Sequence, residues 1–166
     1  MIQNLFMKKL LILLTTAIMI TSFKPSADND PVKDNPFFST YKTPFEVPPF
    51  GLIKPEHFLP GIEKGIEEQN REISAIISNA QLPDFDNTIA ALDYSGSLIR
   101  KVNSVFANLS SANTNSEIQG IARQIAPKLS AHYDNINLNE QLFERVKAVY
   151  EKRESLNLNG EQMQLL

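Results

Sequence analysis

The side chains best suited to acid-base or metal chemistry in this sequence are its two histidines, His57 and His132. A helical metal site of the His-Glu-x-x-His type places two imidazoles one turn apart, with the glutamate as general base. Neither histidine here has a second one four positions away. Since both are lone histidines at helical positions, they are predicted to be packing or surface residues rather than ligands.

Motifs for nucleophilic or phosphate chemistry are equally sparse. Tyr94-Ser-Gly-Ser97 is not a Gly-x-Ser-x-Gly elbow, and neither type of glycine-rich phosphate loop occurs. A Ser-His-Asp triad stays open, because triads are assembled in space from distant residues. Glutamates on one predicted helix alternate with basic residues, which indicates a solvated face: Glu63, Glu67, Glu68 and Glu72 with Lys64 and Arg71. No catalytic, cofactor-binding or metal-ligating residue is assigned.

Composition excludes several protein classes. The chain has 166 residues, 42% of them hydrophobic, and no cysteine. Disulfide scaffolds, thiolate zinc sites and cysteine nucleophiles are therefore excluded together. The formal net charge of -3 argues against a nucleic-acid partner, which would need a basic face.

The N-terminal residues have the pattern of a secretory signal peptide. Met7-Lys8-Lys9 is a positive region, and an apolar run follows it. The run is about 14 residues long, too short to span a bilayer core of about 30 Å comfortably. Residues 1–27 are predicted to be a signal peptide, cleaved after Ser22 or Ala27, which leaves an exported chain with no stable membrane insertion. A retained N-terminal membrane anchor or a buried core helix is the alternative.

Two segments of different composition come next. Residues 28–36 are polar and are predicted to be a spacer. Residues 37–60 are rich in proline and phenylalanine; proline blocks helix and central strand, whereas phenylalanine needs a dry environment. The stretch is therefore predicted to be an extended strap, with Thr43–Gly51 laid across a helical body. A proline-rich ligand for an SH3-type partner is the alternative.

Helical periodicity dominates the rest of the chain, residues 61–166. Apolar residues recur at spacings near 3.6 in four stretches, and strand signals are nearly absent. The four stripes are Phe58, Ile62, Ile66, Ile73, Ile76 and Ala80; Leu92, Ile99, Val102, Phe106 and Leu109; Ile118, Ile121, Ile125, Leu129 and Tyr133; and Leu142, Val146, Val149 and Leu156. The pattern predicts an all-α fold of antiparallel helices, about four plus the start of a fifth.

Capping residues indicate where these helices begin. Asp86 or Asn87 is expected to cap the second helix. Thr114-x-x-Glu117 has the pattern of a capping box for the third, and Asn139 is expected to cap the fourth. After Asn159-Gly160 a fifth helix starts and stops within about one turn, too short to be stable alone. The expectation is that the chain is truncated there.

Three residues are expected to disturb the predicted helices. Pro60 should break or kink the first turn of the first helix, and Pro127 should bend the third. Gly96 is expected in the middle of the second helix, where it costs about 1 kcal/mol relative to alanine unless close packing needs it.

Several segments, taken in order, resemble a known family. They are Asn35-Pro-Phe-Phe, Pro44-Phe-Glu-Val-Pro-Pro-Phe-Gly-Leu-Ile-Lys-Pro-Glu-His-Phe-Leu-Pro60, Pro83-Asp-Phe-Asp-Asn-Thr-Ile89, Ser95-Gly96, Val105-Phe-Ala-Asn-Leu-Ser-Ser-Ala-Asn-Thr-Asn115, Ala126-Pro-Lys-Leu-Ser-Ala-His132 and Leu142-Phe-Glu-Arg-Val146. Together they resemble the N-terminal region of bacterial peptidyl-dipeptidases (dipeptidyl carboxypeptidases) of the thimet oligopeptidase, neurolysin and oligopeptidase A family. The resemblance runs from about Asn35 to Leu166.

The resemblance implies a helical zinc metallopeptidase several times longer than this chain. The predicted signal peptide makes it an exported protein, expected in the periplasm. The family's zinc site, a His-Glu-x-x-His helix with a further glutamate ligand, is missing here, so zinc is expected only in the full-length parent. Residues 61–166 would form one wall of a channel that admits short peptides. Their partner would be a missing C-terminal catalytic domain, and this chain alone would be inactive. A free-standing helical peptide-binding or interaction module is the alternative.

Overall fold

The computed structural model of the chain describes residues 33–166. Its regular structure in that range is helical, without a β-strand, which confirms the predicted all-α class. None of the helices described is both long and apolar enough to cross a membrane. The predicted signal peptide, residues 1–27, and most of the predicted spacer lie outside the described residues.

One long helix organises the fold. The α-helices of the described range are α1 (Phe58–Ile77), α2 (Ala91–Tyr94), α3 (Ser97–Ala112), α4 (Ser116–Asn137), α5 (Glu140–Glu151) and α6 (Gly160–Leu165). A π-helical turn, Phe85–Ala90, leads into α2, and 3-10 turns occupy Pro36–Phe38, Pro44–Glu46, Pro55–His57 and Arg153–Ser155. Because α1 packs against α3, α4 and α5, it is the helix that the other long helices share.

The second predicted helix begins earlier than the sequence indicated. Asp84 is the last extended residue, with φ -134° and ψ 178°, and its Oδ1 accepts from the Asn87 backbone N–H at 2.7 Å. In return, Oδ1 of Asn87 accepts from the Asp84 backbone N–H at 3.2 Å. Capping by Asp86 or Asn87 was the wrong prediction, since both already lie inside the first turn and Asn87 is the reciprocal partner of the cap.

The third helix is capped by Asn115 rather than Thr114. Asn115 is extended, with φ -147° and ψ 178°, and its Oδ1 accepts from the Ile118 N–H at 2.9 Å. The predicted cap of the fourth helix is confirmed, since Asn139 accepts from the Leu142 N–H at 2.9 Å. The last helix is capped in the same way by Asn159, which accepts from the Gln162 N–H at 2.9 Å.

Pro60 and Gly96 act differently from the prediction. Pro60 is the third residue of α1, in the turn whose N–H groups have no intrahelical partner, so the helix is not broken there. Pro127 lies inside α4, which is continuous from Ser116 to Asn137. Gly96 is not in a helix interior: it has φ 71° and separates α2 from α3. Left-handed backbone of this kind favours glycine, which has no Cβ to clash.

Most of the apolar core, here called the aromatic core, joins the strap segment to α1, α3 and α4. Its rings meet in sequence: Phe37 lies 5.5 Å from Phe58, and Phe58 5.0 Å from Phe106, between ring centroids. The other buried members of the cluster are Ile53, Ile62, Ile99, Val102, Val105, Ile118 and Ile125. Tilted and edge-to-face contacts at these distances add to the free energy gained by burial.

The strap segment, residues 37–60, is buried at its two ends and mostly exposed in between. Phe37 and Phe58 are each 1% exposed, whereas Phe45 is fully exposed and Phe50 about half exposed. The middle is also not extended, because Pro44–Glu46 forms a 3-10 turn and Phe45 has φ 56°. The phenylalanines that pack against α1 and α3 are buried, whereas those in the middle of the segment are exposed to solvent.

Close contact between α1 and α3 depends on a glycine. A Cβ on Gly65 would lie 2.7 Å from Cγ1 of Ile99 and 3.0 Å from the Ile99 backbone nitrogen. These distances are below van der Waals contact, so the two helix backbones approach as closely as they do only because residue 65 has no side chain.

A second, smaller cluster, here called the small core, lies where α1 meets α5. Its buried members are Ile73, Ile76 and Leu142. Beside it the Arg145 guanidinium donates to the Asn79 backbone carbonyl at 2.9 Å and to Oδ1 of Asn87 at 3.1 Å. The fourth helix was predicted to reach Leu156, but α5 ends at Glu151 and a 3-10 turn follows.

Candidate functional site

The two histidines lie in separate surroundings. His57, in the turn before α1, accepts at Nδ1 from the Lys54 backbone N–H at 3.0 Å. His132, on α4, places Nε2 2.8 Å from Oε1 of Gln69. Burial lowers the pKa of both imidazoles, which favours the neutral form. Both side chains are buried.

A buried hydrogen-bond chain connects His132 to the break between α2 and α3. Gln69 on α1 donates from Nε2 to the Ser95 hydroxyl at 3.1 Å, so its Oε1 is the atom that accepts from His132. The Ser95 hydroxyl in turn donates to the Leu92 carbonyl at 2.7 Å. Since Gln69 stands between Ser95 and His132, the two do not form a nucleophile-base pair, and no Ser-His-Asp triad arises here.

A second set of bonds fixes the same break. The Gly96 N–H donates to Oε2 of Glu72 on α1 at 2.7 Å. The Arg100 guanidinium donates to the Ser95 carbonyl, and to the Tyr94 carbonyl at 3.2 Å. Backbone groups exposed by interrupting the helix are therefore satisfied, as buried polar groups must be. This arrangement is a structural lock between α1 and α3, without a reactive group.

The glutamates of α1 form the solvated face that the sequence predicted. Lys64 Nζ lies 2.9 Å from a Glu67 oxygen, and Lys128 Nζ lies 2.9 Å from a Glu63 oxygen. Hydrogen bonding and charge from Lys64 lower the pKa of Glu67. Glu72 differs from the others because, although it is also exposed, its Oε2 accepts from the Gly96 backbone N–H.

A groove of about 970 Å³ lies between the strap segment and helices α1 and α3. Lys101 holds one wall in place: its Nζ donates to the Phe37 carbonyl at 3.0 Å and to the Ser39 carbonyl at 2.7 Å. The same ammonium lies 4.0 Å from the centroid of the Tyr41 ring. Lys64, Glu67 and Glu68 line the opposite side, so the groove presents both signs of charge.

The residues present do not fit a zinc site. Within residues 33–166 no three histidine, aspartate or glutamate side chains are grouped so that they could hold a metal ion. The ring nitrogens of His57 and His132 described above are also engaged by protein partners in different places. No step of a metal-dependent reaction is derived from this part of the chain.

The polar side chains that connect distant parts of the fold were not predicted from the sequence. Gln69, Lys101 and Arg145 carry no local motif, and their partners lie 26 to 66 residues away in the chain. A single sequence contains no signal for such pairings. Asn35 was missed as well, although an asparagine directly before a proline is a recognisable helix-start pattern.

Comparison with known proteins bears on the function. No protein-family profile matches the chain. Over 132 residues, 80% of its length, it is 41% identical to a dipeptidyl carboxypeptidase of Escherichia coli (strain K12) and 38% identical to one of Salmonella typhimurium. It is also 23% identical over 120 residues, 72% of the chain, to oligopeptidase A of Escherichia coli.

These relatives are much longer proteins. The matches cover 19% of each dipeptidyl carboxypeptidase and 18% of oligopeptidase A, so the chain spans about a fifth of the length of the relatives it matches. The resemblance predicted from the sequence is confirmed: this chain is a relative of the dipeptidyl carboxypeptidases and, more distantly, of oligopeptidase A.

Proposed function

We propose that this chain is a non-catalytic part of a peptidase of the dipeptidyl carboxypeptidase type, in which its helices form part of the wall of the substrate channel. The observation that carries the proposal is 41% identity over 80% of the chain, matched to only 19% of the relative. In a protein about five times longer than the matched segment, the reacting groups can come from other parts of the sequence. The chain alone is proposed to be inactive.

The chemistry of the whole enzyme is a further part of the proposal. The resemblance suggests a zinc metallopeptidase that removes dipeptides from, or cleaves, short oligopeptides. Residues 33–166 contain no group of three possible metal ligands, so the zinc ligands would come from sequence outside this range. What the described residues contribute is shape and rigidity, through the lock around Gln69 and the close contact of α1 with α3.

A hybrid enzyme tests the proposal. The matched 132-residue segment of the Escherichia coli dipeptidyl carboxypeptidase would be replaced by its counterpart from this chain, and dipeptide release from a short peptide would be measured. We expect a folded hybrid that releases dipeptides, and no cleavage by the 166-residue chain with or without added zinc. A folded but inactive hybrid, or zinc-dependent cleavage by the chain alone, would contradict the proposal.

Export to the periplasm is proposed on separate grounds. The positive region and short apolar run before residue 27 support it, and an N-terminal membrane anchor is the alternative. Expression in a Gram-negative host followed by fractionation and intact-mass measurement separates the two. We expect a periplasmic product that begins at Phe23 or Asp28. An uncleaved chain in the membrane fraction would favour the anchor.

The groove beside Lys101 favours a second candidate, a free-standing peptide-binding module. Its volume of about 970 Å³ and its mixed charge suit a short polar peptide. Isothermal titration of the 166-residue chain with a set of oligopeptides distinguishes the candidates. Saturable binding that is lost in Lys64→Ala would favour the module, whereas the peptidase proposal expects no appreciable binding by the isolated chain.

A further inference from the structure

Helix α5 has two apolar faces, of which only one is covered. Leu142 is 4% exposed and Val149 fully buried, and both face the rest of the fold. Phe143 is 59% exposed and Tyr150 49% exposed. Residues seven apart lie on the same side of a helix, so Phe143 and Tyr150 form a second stripe, here called the outer face of α5.

The charged residues around this stripe do not hide it. Lys147, one turn from Phe143, is paired with Glu151 at 4.0 Å, and both are about half exposed. Arg153 lies 4.1 Å from the centre of the Tyr150 ring and covers one side of it. An aromatic pair bordered by charged side chains is the composition of a protein interface, where tyrosine and arginine are frequent anchors.

A surface helix of an ordinary domain has one apolar stripe, and its outer side is polar. Each residue of the outer face directly follows a buried one, so the two stripes lie about 100° apart around α5 and the apolar surface of the helix is wider than its covered part. Leu138, one residue before the cap of α5, is 83% exposed and adds to the apolar surface of this region. Among the described residues, only the inner stripe is covered.

We propose that the outer face of α5 is an interface, and that its occupant is the part of a dipeptidyl carboxypeptidase-type protein lying outside the matched segment. The length of that part is the argument, since the match covers 19% of the relatives and leaves about four-fifths of their length to pack against it. This inference rests on the proposed function, because it takes the chain to be one part of such a protein.

The hybrid enzyme described above tests the interface through its thermal unfolding, which does not depend on activity. Phe143→Glu combined with Tyr150→Glu should lower the unfolding midpoint of the hybrid by about 2–4 °C. The same pair in the 166-residue chain should leave its midpoint unchanged, since both side chains are exposed there. Phe45→Glu, at a fully exposed phenylalanine of the strap segment, is the matched control and should change neither protein.

Three outcomes would overturn the interface. Equal midpoints for the substituted and unsubstituted hybrids would mean that nothing packs on this face. An equal loss in the Phe45→Glu hybrid would mean that added charge, rather than a lost contact, is the cause. Dimerisation of the 166-residue chain that Phe143→Glu abolishes, with an unaffected hybrid, would assign the face to a second copy. An unsubstituted hybrid that folds without peptidase activity would contradict the proposed function alone.

Discussion

The two ends of α1 lie in different surroundings. At its N-terminal end the aromatic core joins side chains from four elements, and the Phe58 ring lies 5.5 Å from that of Phe37 and 5.0 Å from that of Phe106. At its C-terminal end the small core has three buried members, and the Arg145 guanidinium adds polar contacts to loop carbonyls.

This difference shows which side of the fold is self-sufficient. The aromatic core is closed by the strap segment on one side and by α4 on the other, so its stability depends on apolar burial within the chain. The small core is covered by α5, whose own outer face is open. The first side is therefore expected to be stable in isolation, whereas the second depends more on whatever packs against α5.

Phe58→Ala is expected to have the largest effect. It removes a ring that is 1% exposed and contacts two other rings, which should lower the free energy of unfolding by about 3–5 kcal/mol. Urea denaturation followed by circular dichroism measures the change. Phe45→Ala, at a fully exposed ring, is the control and should stay within about 0.5 kcal/mol of the unsubstituted chain. Similar losses in both variants would contradict the aromatic core as described.

Leu142→Ala tests the other side of the comparison. We expect a loss of about 2 kcal/mol, at the lower end of the range for such substitutions, because a cluster of three buried residues can collapse around the cavity. The neighbouring Phe143→Ala should cost less than about 0.5 kcal/mol in the isolated chain. A loss from Leu142→Ala as large as that from Phe58→Ala would remove the distinction between the two cores.

Alanine substitutions at two glycines, Gly65 and Gly120, test the close contact between α1 and α3. Gly65→Ala should destabilise the chain by about 1–3 kcal/mol, because the new methyl group meets the Ile99 backbone and forces α1 and α3 apart. Gly120→Ala, inside α4 with no atom closer than 3.9 Å, should instead stabilise by about 0.5–1 kcal/mol. The opposite signs are the test, and thermal unfolding of both variants measures them. Equal signs would contradict the close contact.

The pH dependence of stability should reflect the two buried histidines. Because burial lowers the pKa of His57 and His132 in the folded state, the unfolded chain binds more protons below pH about 6.5. Stability is therefore fully present above that pH and falls as the pH is lowered toward the folded-state pKa values. Urea denaturation between pH 7.5 and 5.5 measures the slope, which His132→Gln should reduce. An unchanged slope would contradict burial of a neutral His132.

The helices could be predicted because their signal is local. The stripe from Phe58 to Ile76 has the period of α1, and its side chains are buried in the structure except Ile66, which is partly buried. The predicted helix caps lie within three residues of the observed ones, and Thr114 was predicted where Asn115 is the cap because both side chains can cap. Which of the two does so depends on where the backbone turns.

The rest of the fold depends on residues that are distant in sequence. Gly96 was predicted to lie in a helix interior. The Glu72 carboxylate that accepts from its N–H lies 24 positions earlier, so the local sequence does not indicate the break. Phe45 and Phe37 are the same residue type in the same proline-rich stretch, and only the packing of α3 beside one of them decides which is buried. The candidate site was predictable only as a set of missing motifs, since Gln69 and Lys101 have no pattern of their own.

Hydrogen exchange of residues 140–165 tests the central claim most directly. The measurement compares the 166-residue chain with the hybrid enzyme, using the amides of α1 and α3 as the internal reference. If the outer face of α5 is an interface, the amides of α5 should exchange faster than the reference in the isolated chain and become markedly slower in the hybrid. Equal exchange of α5 in the two proteins, with the reference unchanged, would contradict the claim that its outer face is an interface.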